Sequence, residues 1–212
     1  MDLCAVLTGK TVWTFKPKHQ RLIQDAAIAR SANLLQRCDT CRRYPAAESG
    51  QYITSTATRD ADHGNRRLAR TIGRGGITDR KAEGDGATPR GTHRIVGMLY
   101  RPDRMAKPAD WALPIGPSDL WSDDVRDPDY NMMVRKPHVY GHENLRRADP
   151  MYDLIILTDW NWPYAVKGRG SAIFMHQWRG PGRPTAGCIG LSRQDILWIA
   201  PRIRYQTRLV IV

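Results

Sequence analysis

The stretch from Gly170 to Ser192, GSAIFMHQWRGPGRPTAGCIGLS, constrains this chain more than any other. A short apolar run, Ala172-Ile173-Phe174-Met175, ends on His176. A tight segment with Gly180, Pro181, Gly182 and Pro184 follows, and the chain comes back through Thr185-Ala186-Gly187-Cys188 into Ile189-Gly190-Leu191. Apolar runs this short, bounded by Gly and Pro, read as buried strands joined by a loop. Ser192 with Asp195 three residues on reads as a helix N-cap, which opens a helix over residues 193–203 with Ile196, Leu197, Ile199, Ala200 and Ile203 apolar.

A histidine closing a strand and a cysteine in a glycine-flanked turn twelve residues later suit thiol nucleophile chemistry. The thiolate attacks, so a nearby imidazole must accept its proton or share it as an ion pair. Glycine beside the cysteine allows close approach of a substrate carbonyl and lets backbone N–H groups of Thr185, Ala186 and Gly187 face a developing oxyanion. Papain-like proteases place Cys upstream of His in a C-G-[SA]-C-[WY] context, and caspases carry Q-A-C-[RQG]-G; neither pattern is present.

Upstream, Leu68 to Ile72 reads as a short strand running into the turn Gly73-Arg74-Gly75-Gly76. No phosphate-binding G-x-x-x-x-G-K-[ST] pattern follows, so these glycines read as a turn. Lys81 to Gly91, KAEGDGATPRG, leads into the strand Thr92–Tyr100, whose two faces both carry apolar groups, as in a packed sheet. Glu83 and Asp85 read as turn carboxylates. Residues 101–150 hold Trp111, Trp121, Tyr130, His138, Tyr140 and His142 among Asp and Pro; this long irregular loop reads as a lid or wall of a cleft, or equally as a structural flap. Tyr152 to Leu157 is a buried strand, and residues 207–212 form a closing strand.

Two segments together resemble the L,D-transpeptidase catalytic domain family (YkuD-like). That family carries a strand-borne His-Gly, then Ser/Thr-His-Gly-Cys and an apolar residue, and upstream a Thr-Pro-x-Gly before a strand. Thr185, Gly187, Cys188 and Ile189 match, as do Thr88, Pro89 and Gly91. Ala186 stands in place of the usual second histidine and Gln177 in place of the glycine, as in a branch with TAGC for SHGC. The resemblance covers residues 67–212. It implies a mainly-β (α+β) sandwich with one short helix after the cysteine loop. It also implies acyl transfer through a thioester on Cys188, with His176 as general base and acid. Peptidoglycan stem peptides are the implied substrate, in the periplasm or cell envelope, with no metal and no cofactor. Arg169 and Arg183 are candidate contacts for stem-peptide carboxylates, alongside Arg179. Cross-linking, carboxypeptidase-like hydrolysis and amine attachment share this chemistry, and a non-catalytic basic binding module with an inert Cys188 is the rival of a different class.

The 33 Lys+Arg against 21 Asp+Glu give a formal charge of +12, which favours polyanionic surroundings without choosing among them. No nucleic-acid recognition motif accompanies that charge. Asp123, Asp124, Asp127 and Asp129 lack the glycine and terminal glutamate of a calcium loop. Cys38-Asp-Thr-Cys41 lacks a second ligand pair for zinc. Residues 1–62 read as an extension, poorly ordered or helical, with one amphipathic helix over residues 18–38. Asp2 and the break at Gly9-Lys10 do not fit a secretory signal, and no run approaches a membrane span.

Overall fold

The computed structural model describes residues 52–55, 60–63 and 66–212, all within the second of two compact units, Gly50–Val212. The helix expected over residues 18–38 and the Cys38–Cys41 pair lie outside the described residues.

Strands dominate the described chain. They are β1 (Tyr52–Ser55), β2 (Asp60–His63), β3 (Arg66–Thr71), β4 (Ile77–Thr78), β5 (Thr88–Pro89), β6 (Gly91–Tyr100) and β7 (Leu113–Pro114). There follow β8 (Asp119–Ser122), β9 (Met133–Arg135), β10 (His142–Asn144), β11 (Leu154–Thr158), β12 (Phe174–Gln177), β13 (Ile189–Leu191) and β14 (Arg208–Ile211). One α-helix, α1 (Arg193–Ile199), follows the cysteine loop. Among the described residues the mainly-β class with a single short helix therefore holds. β1 and β2 fall where an irregular extension was expected, and they join the main sheet instead: β1 pairs with β14 and β2, and β2 pairs with β3.

The main sheet runs β11-β12-β13-β3-β2-β1-β14-β6-β7, and β6 pairs a second time with β11, so the sheet closes on itself. β6 makes this possible by its length: residues 91–94 pair with β14, and residues 95–100 pair with β11. The half built from β6, β11 and β12 is buried on both faces, as its unbroken apolar sequence requires. Alternation sorts the side chains. Ile95, Met98, Leu154, Ile156 and Met175 point into the enclosed core with Ile189, Leu191 and the helix residues Ile196 and Ile199. Leu99, Ile155 and Phe174 point outward into a second core.

That second core exists because residues 101–152 cover the outer face. They are not the irregular loop the sequence suggests. β8 pairs with β9 and β10 in a separate three-stranded sheet, and its Trp121 packs edge-on to Phe174 with centroids 4.9 Å apart at 86°. Leu145, Ile115 and Tyr152 complete the layer. Burying a side chain of this size contributes about 1.5–3 kcal/mol, so the lid is a packed element. Strands of two to four residues between Asp/Pro turns are too short to show a period in the sequence.

Two further boundaries moved. α1 stops at Ile199, short of residue 203, because Pro201 lacks the N–H that another helical turn needs. Residues 171–173 precede β12 rather than extend it, since Ala172 takes the left-handed φ of 49°.

Candidate active site

β12 carries Phe174 and His176 on its outer face, two residues apart. His176 is 4% exposed, and its ring meets the Tyr152 ring edge-on at 5.2 Å and 72°. Its Nδ1 lies 2.8 Å from the carbonyl oxygen of Gln177. A carbonyl only accepts, so Nδ1 bears the proton and Nε2 keeps a lone pair. The group that fixes the tautomer is backbone, which explains why the glutamine at 177 is compatible with the site. Burial pushes the imidazole down to about 4, and the Arg147 and Arg179 charges act in the same direction.

Cys188 enters from the parallel neighbour β13, where Met175 pairs with Ile189. Its side chain packs against the same outer core that contains Tyr152 and Phe174, so thiol and imidazole share one face of the sheet. The thiol donates to the Ala172 carbonyl at 3.0 Å, and the Phe174 N–H donates to sulfur at 3.4 Å. Burial pushes the thiol up to about 12, and the nearby Glu143 carboxylate adds to that; the Phe174 N–H and Lys81 oppose it. Burial thus favours the neutral thiol and the neutral imidazole on this face. The thiolate–imidazolium pair, one of two options open from sequence, is disfavoured by this desolvation.

The loop before Cys188 is held by three separate segments. Thr185 Oγ1 donates to the Cys188 carbonyl at 2.6 Å and accepts the Gly187 N–H at 3.1 Å. The Thr185 backbone is bonded to the glycine turn, through Ile72 O and the Arg74 N–H, both at 2.9 Å. Thr88 clamps the third side: its hydroxyl donates to Gly187 O at 2.8 Å and accepts the Gly73 N–H at 2.9 Å. The three glycine-bearing motifs singled out in the sequence are thus parts of one brace. A β-carbon on Gly73 would sit 2.2 Å from Gly86 O, so the close approach requires glycine there. Ala186 is exposed. Of the three N–H groups expected to face the oxyanion, those of Thr185 and Gly187 are engaged by Ile72 O and Thr185 Oγ1, so the amides of Ala186 and Cys188 are the candidate donors.

Thr88→Val keeps the shape but leaves a buried carbonyl and a buried N–H without partners. We expect a loss of about 2–4 kcal/mol in urea unfolding, and Thr88→Ser, which retains both bonds, should recover most of it. Equal stabilities for the valine and serine variants would show that the clamp does not hold the loop.

Asp85 accepts the Ala82 and Ala87 N–H groups, each at 2.8 Å, and Lys81 Nζ at 2.6 Å, a turn role as expected. Glu83 accepts the Tyr130 hydroxyl. Asp127 accepts the Asp129 N–H at 2.9 Å and contacts His138 Nε2 at 2.7 Å. Among the described residues no group of three or more acidic, His or Cys side chains is arranged to hold a metal.

Arg169 lies over Trp160 at 5.1 Å and Arg183 is exposed on the 180s loop; neither is brought to the thiol by a contact. The cations felt at His176 are Arg179 and Arg147, the second of which lies 5.2 Å above the Tyr152 ring. Sequence reasoning missed Arg147, Tyr152 and Glu143, since none belongs to a motif. It also missed Asn131. Its buried amide oxygen accepts from Trp121 Nε1 and from the Ala172 N–H, both at 3.0 Å. Its Nδ2 donates to Trp160 O at 3.2 Å and Asn161 O at 2.8 Å, so one amide ties the lid to the 160s turn and to Ala172.

The family model for the L,D-transpeptidase catalytic domain (YkuD) matches residues 49–212, from just before β1 to the last residue. The chain belongs to that family. The start of the match agrees with β1 and β2 lying inside the sheet. Among solved structures, an L,D-transpeptidase from Mycobacterium smegmatis is similar at 14% identity and a TM-score of 0.37, covering 77% of this chain and 58% of that one. L,D-transpeptidase 1 of Mycobacterium tuberculosis is similar at 11% identity and a TM-score of 0.37, with coverages of 77% and 59%. One from Xylanimonas cellulosilytica is similar at 14% and 0.38, with coverages of 79% and 63%. No curated protein sequence matches the chain. Among the described residues of this family member, no helix is long and apolar enough to cross a membrane.

Proposed function

We propose that this chain is a cysteine-dependent peptidoglycan L,D-transpeptidase of the cell envelope, with Cys188 as nucleophile and His176 as general base and acid. The observation that carries the reading is the placement of both side chains on one sheet face, with the His176 tautomer set by Gln177 O so that Nε2 is the basic atom. Membership of the family supports the substrate class.

Because thiol and imidazole rest uncharged, the proton moves only as the bond forms. The Cys188 proton passes to His176 Nε2 while sulfur attacks a stem-peptide carbonyl. The negative oxygen faces the Ala186 and Cys188 amides. Collapse expels the leaving amine, which takes the proton from His176 and leaves a thioester. An incoming amine then gives its proton to His176 and displaces the thiol, forming a new amide. Water in place of the amine gives a trimmed stem. Arg179 and Arg147, close to His176, are better placed for a substrate carboxylate than Arg169 or Arg183.

Incubation with muropeptides followed by mass spectrometry tests the reading. The expected result is a thioester on Cys188 and dimers joined through new amide bonds. Trimmed stems alone would make the enzyme a hydrolase, and no adduct on Cys188 would sink the proposal.

A second expectation concerns acid. His176 acts only as the neutral base, and its folded value lies near 4 instead of the usual 6.5. The acid limb of kcat/KM should therefore fall near pH 4, with near-full activity at pH 5.5. A break at pH 6.5–7 would mean that the imidazole is solvated in the working enzyme.

A further inference from the structure

The lid reaches the reacting pair through one chain of contacts that the proposed mechanism does not use. Glu143 sits on lid strand β10, opposite Trp121 of β8. It accepts a hydrogen bond from the Tyr152 hydroxyl. Tyr152 is 4% exposed, and its ring edge packs on the His176 ring at 5.2 Å. Tyr152 is itself fixed from below. It ends the 3-10 turn Pro150–Tyr152, which Asp149 caps by accepting the Met151 N–H at 3.1 Å, and Arg147 lies over its ring while paired to Asp149 at 2.6 Å.

We propose that Glu143, acting through Tyr152, is a positioning residue that couples the seating of the lid to the reactivity of the site: it fixes the Tyr152 ring against His176 and in the apolar layer that Cys188 packs on. The inference rests on the reading of Cys188 as the nucleophile.

The electrostatic surroundings fit this role. The charges felt at the thiol come from Glu143 on β10 and Lys81 in the loop before β5, Tyr152 of the 3-10 turn feels the thiol in turn, and His176 shares its sheet face. Around Glu143 itself lie Tyr152, Arg147 and Asp123, whose own carboxyl is pushed up by burial and by Glu143 and Glu83. His176 faces Arg147, Asp149 and Arg179. A carboxylate beside a desolvated thiol disfavours the thiolate, because two negative charges then share a low-dielectric site.

The test is the pH dependence of Cys188 alkylation by iodoacetamide, read by mass spectrometry of the Cys188 peptide on the full-length protein. Glu143→Gln keeps an acceptor for the tyrosine hydroxyl but removes the charge, and should move the alkylation curve down by about one pH unit. Glu143→Asp keeps the charge and shortens the reach, so its curve should stay with the wild type while kcat for acyl transfer falls several-fold. Tyr152→Phe keeps the ring against His176 and frees Glu143 to turn to water, so it should shift the curve down by less than Glu143→Gln, and it serves if the glutamine variant does not fold. A Glu143→Gln curve that overlays the wild type, or an aspartate variant that shifts as the glutamine one does, overturns the proposal. Neither result touches the nucleophile reading, which fails separately if wild-type protein forms no thioester on Cys188.

Discussion

Cys188→Ala should abolish both the thioester and all transfer product, a loss of at least about 10⁴-fold, because no other group can form the covalent intermediate. Removing sulfur takes a partner from Ala172 O and the Phe174 N–H and some packing from the outer core, so unfolding should change by about 1–3 kcal/mol, far less than the effect on turnover. His176→Ala should lower turnover by about 10²–10⁴-fold, the usual weight of a positioned base. Unlike the cysteine variant, it should still become labelled slowly at Cys188, with a rate that rises with hydroxide. Transfer measured on muropeptides decides the matter. Full activity in Cys188→Ala would remove Cys188 as the nucleophile, whereas absence of transfer by the wild type would leave the chain as a non-catalytic basic binding module.

Gly187→Ala should be the most damaging change that touches no side chain. The residue has φ of 139°, and a β-carbon there would lie 2.9 Å from the backbone oxygen of Ala87 and 3.2 Å from Ile173 Cδ1. The backbone oxygen belongs to the segment clamped by Thr88, so it has little room to withdraw. We expect a destabilisation of about 2–4 kcal/mol, combining backbone strain with overpacking, and loss of acylation as the cysteine loop shifts. Gly182→Ala separates the two causes. Gly182 also has positive φ, at 71°, but nothing lies within 4 Å of its missing β-carbon, so only about 1–2 kcal/mol of conformational cost remains. Equal urea midpoints for the two variants would show that the approach to Ala87 is not tight in solution.

The sequence was most informative where chemistry and local geometry coincide. His176, Cys188 and the turn glycines stand in short motifs whose spacing already implied a strand, a loop and a return. The N-cap at Ser192 was equally plain, and its side chain accepts the Asp195 N–H as expected. What stayed hidden depends on contacts between segments far apart in the chain. Asn131 is one polar residue in a lid of unremarkable composition, yet its amide joins β8, the 160s turn and Ala172. Tyr152 read as the first residue of a strand, and only the fold shows it closing a 3-10 turn against His176. The arginines show the same limit: nearness in sequence to the cysteine singled out Arg183 and Arg169, while Arg147 reaches the imidazole's surroundings from the lid.

The bond from His176 to the Gln177 carbonyl has a consequence for how such a site tolerates change. An orienting partner made of main chain is supplied by any amino acid, so drift at that position leaves the imidazole's bearing untouched. Saturation mutagenesis at 177 should therefore yield many working variants, with proline the exception, since β12 pairs there with Leu191.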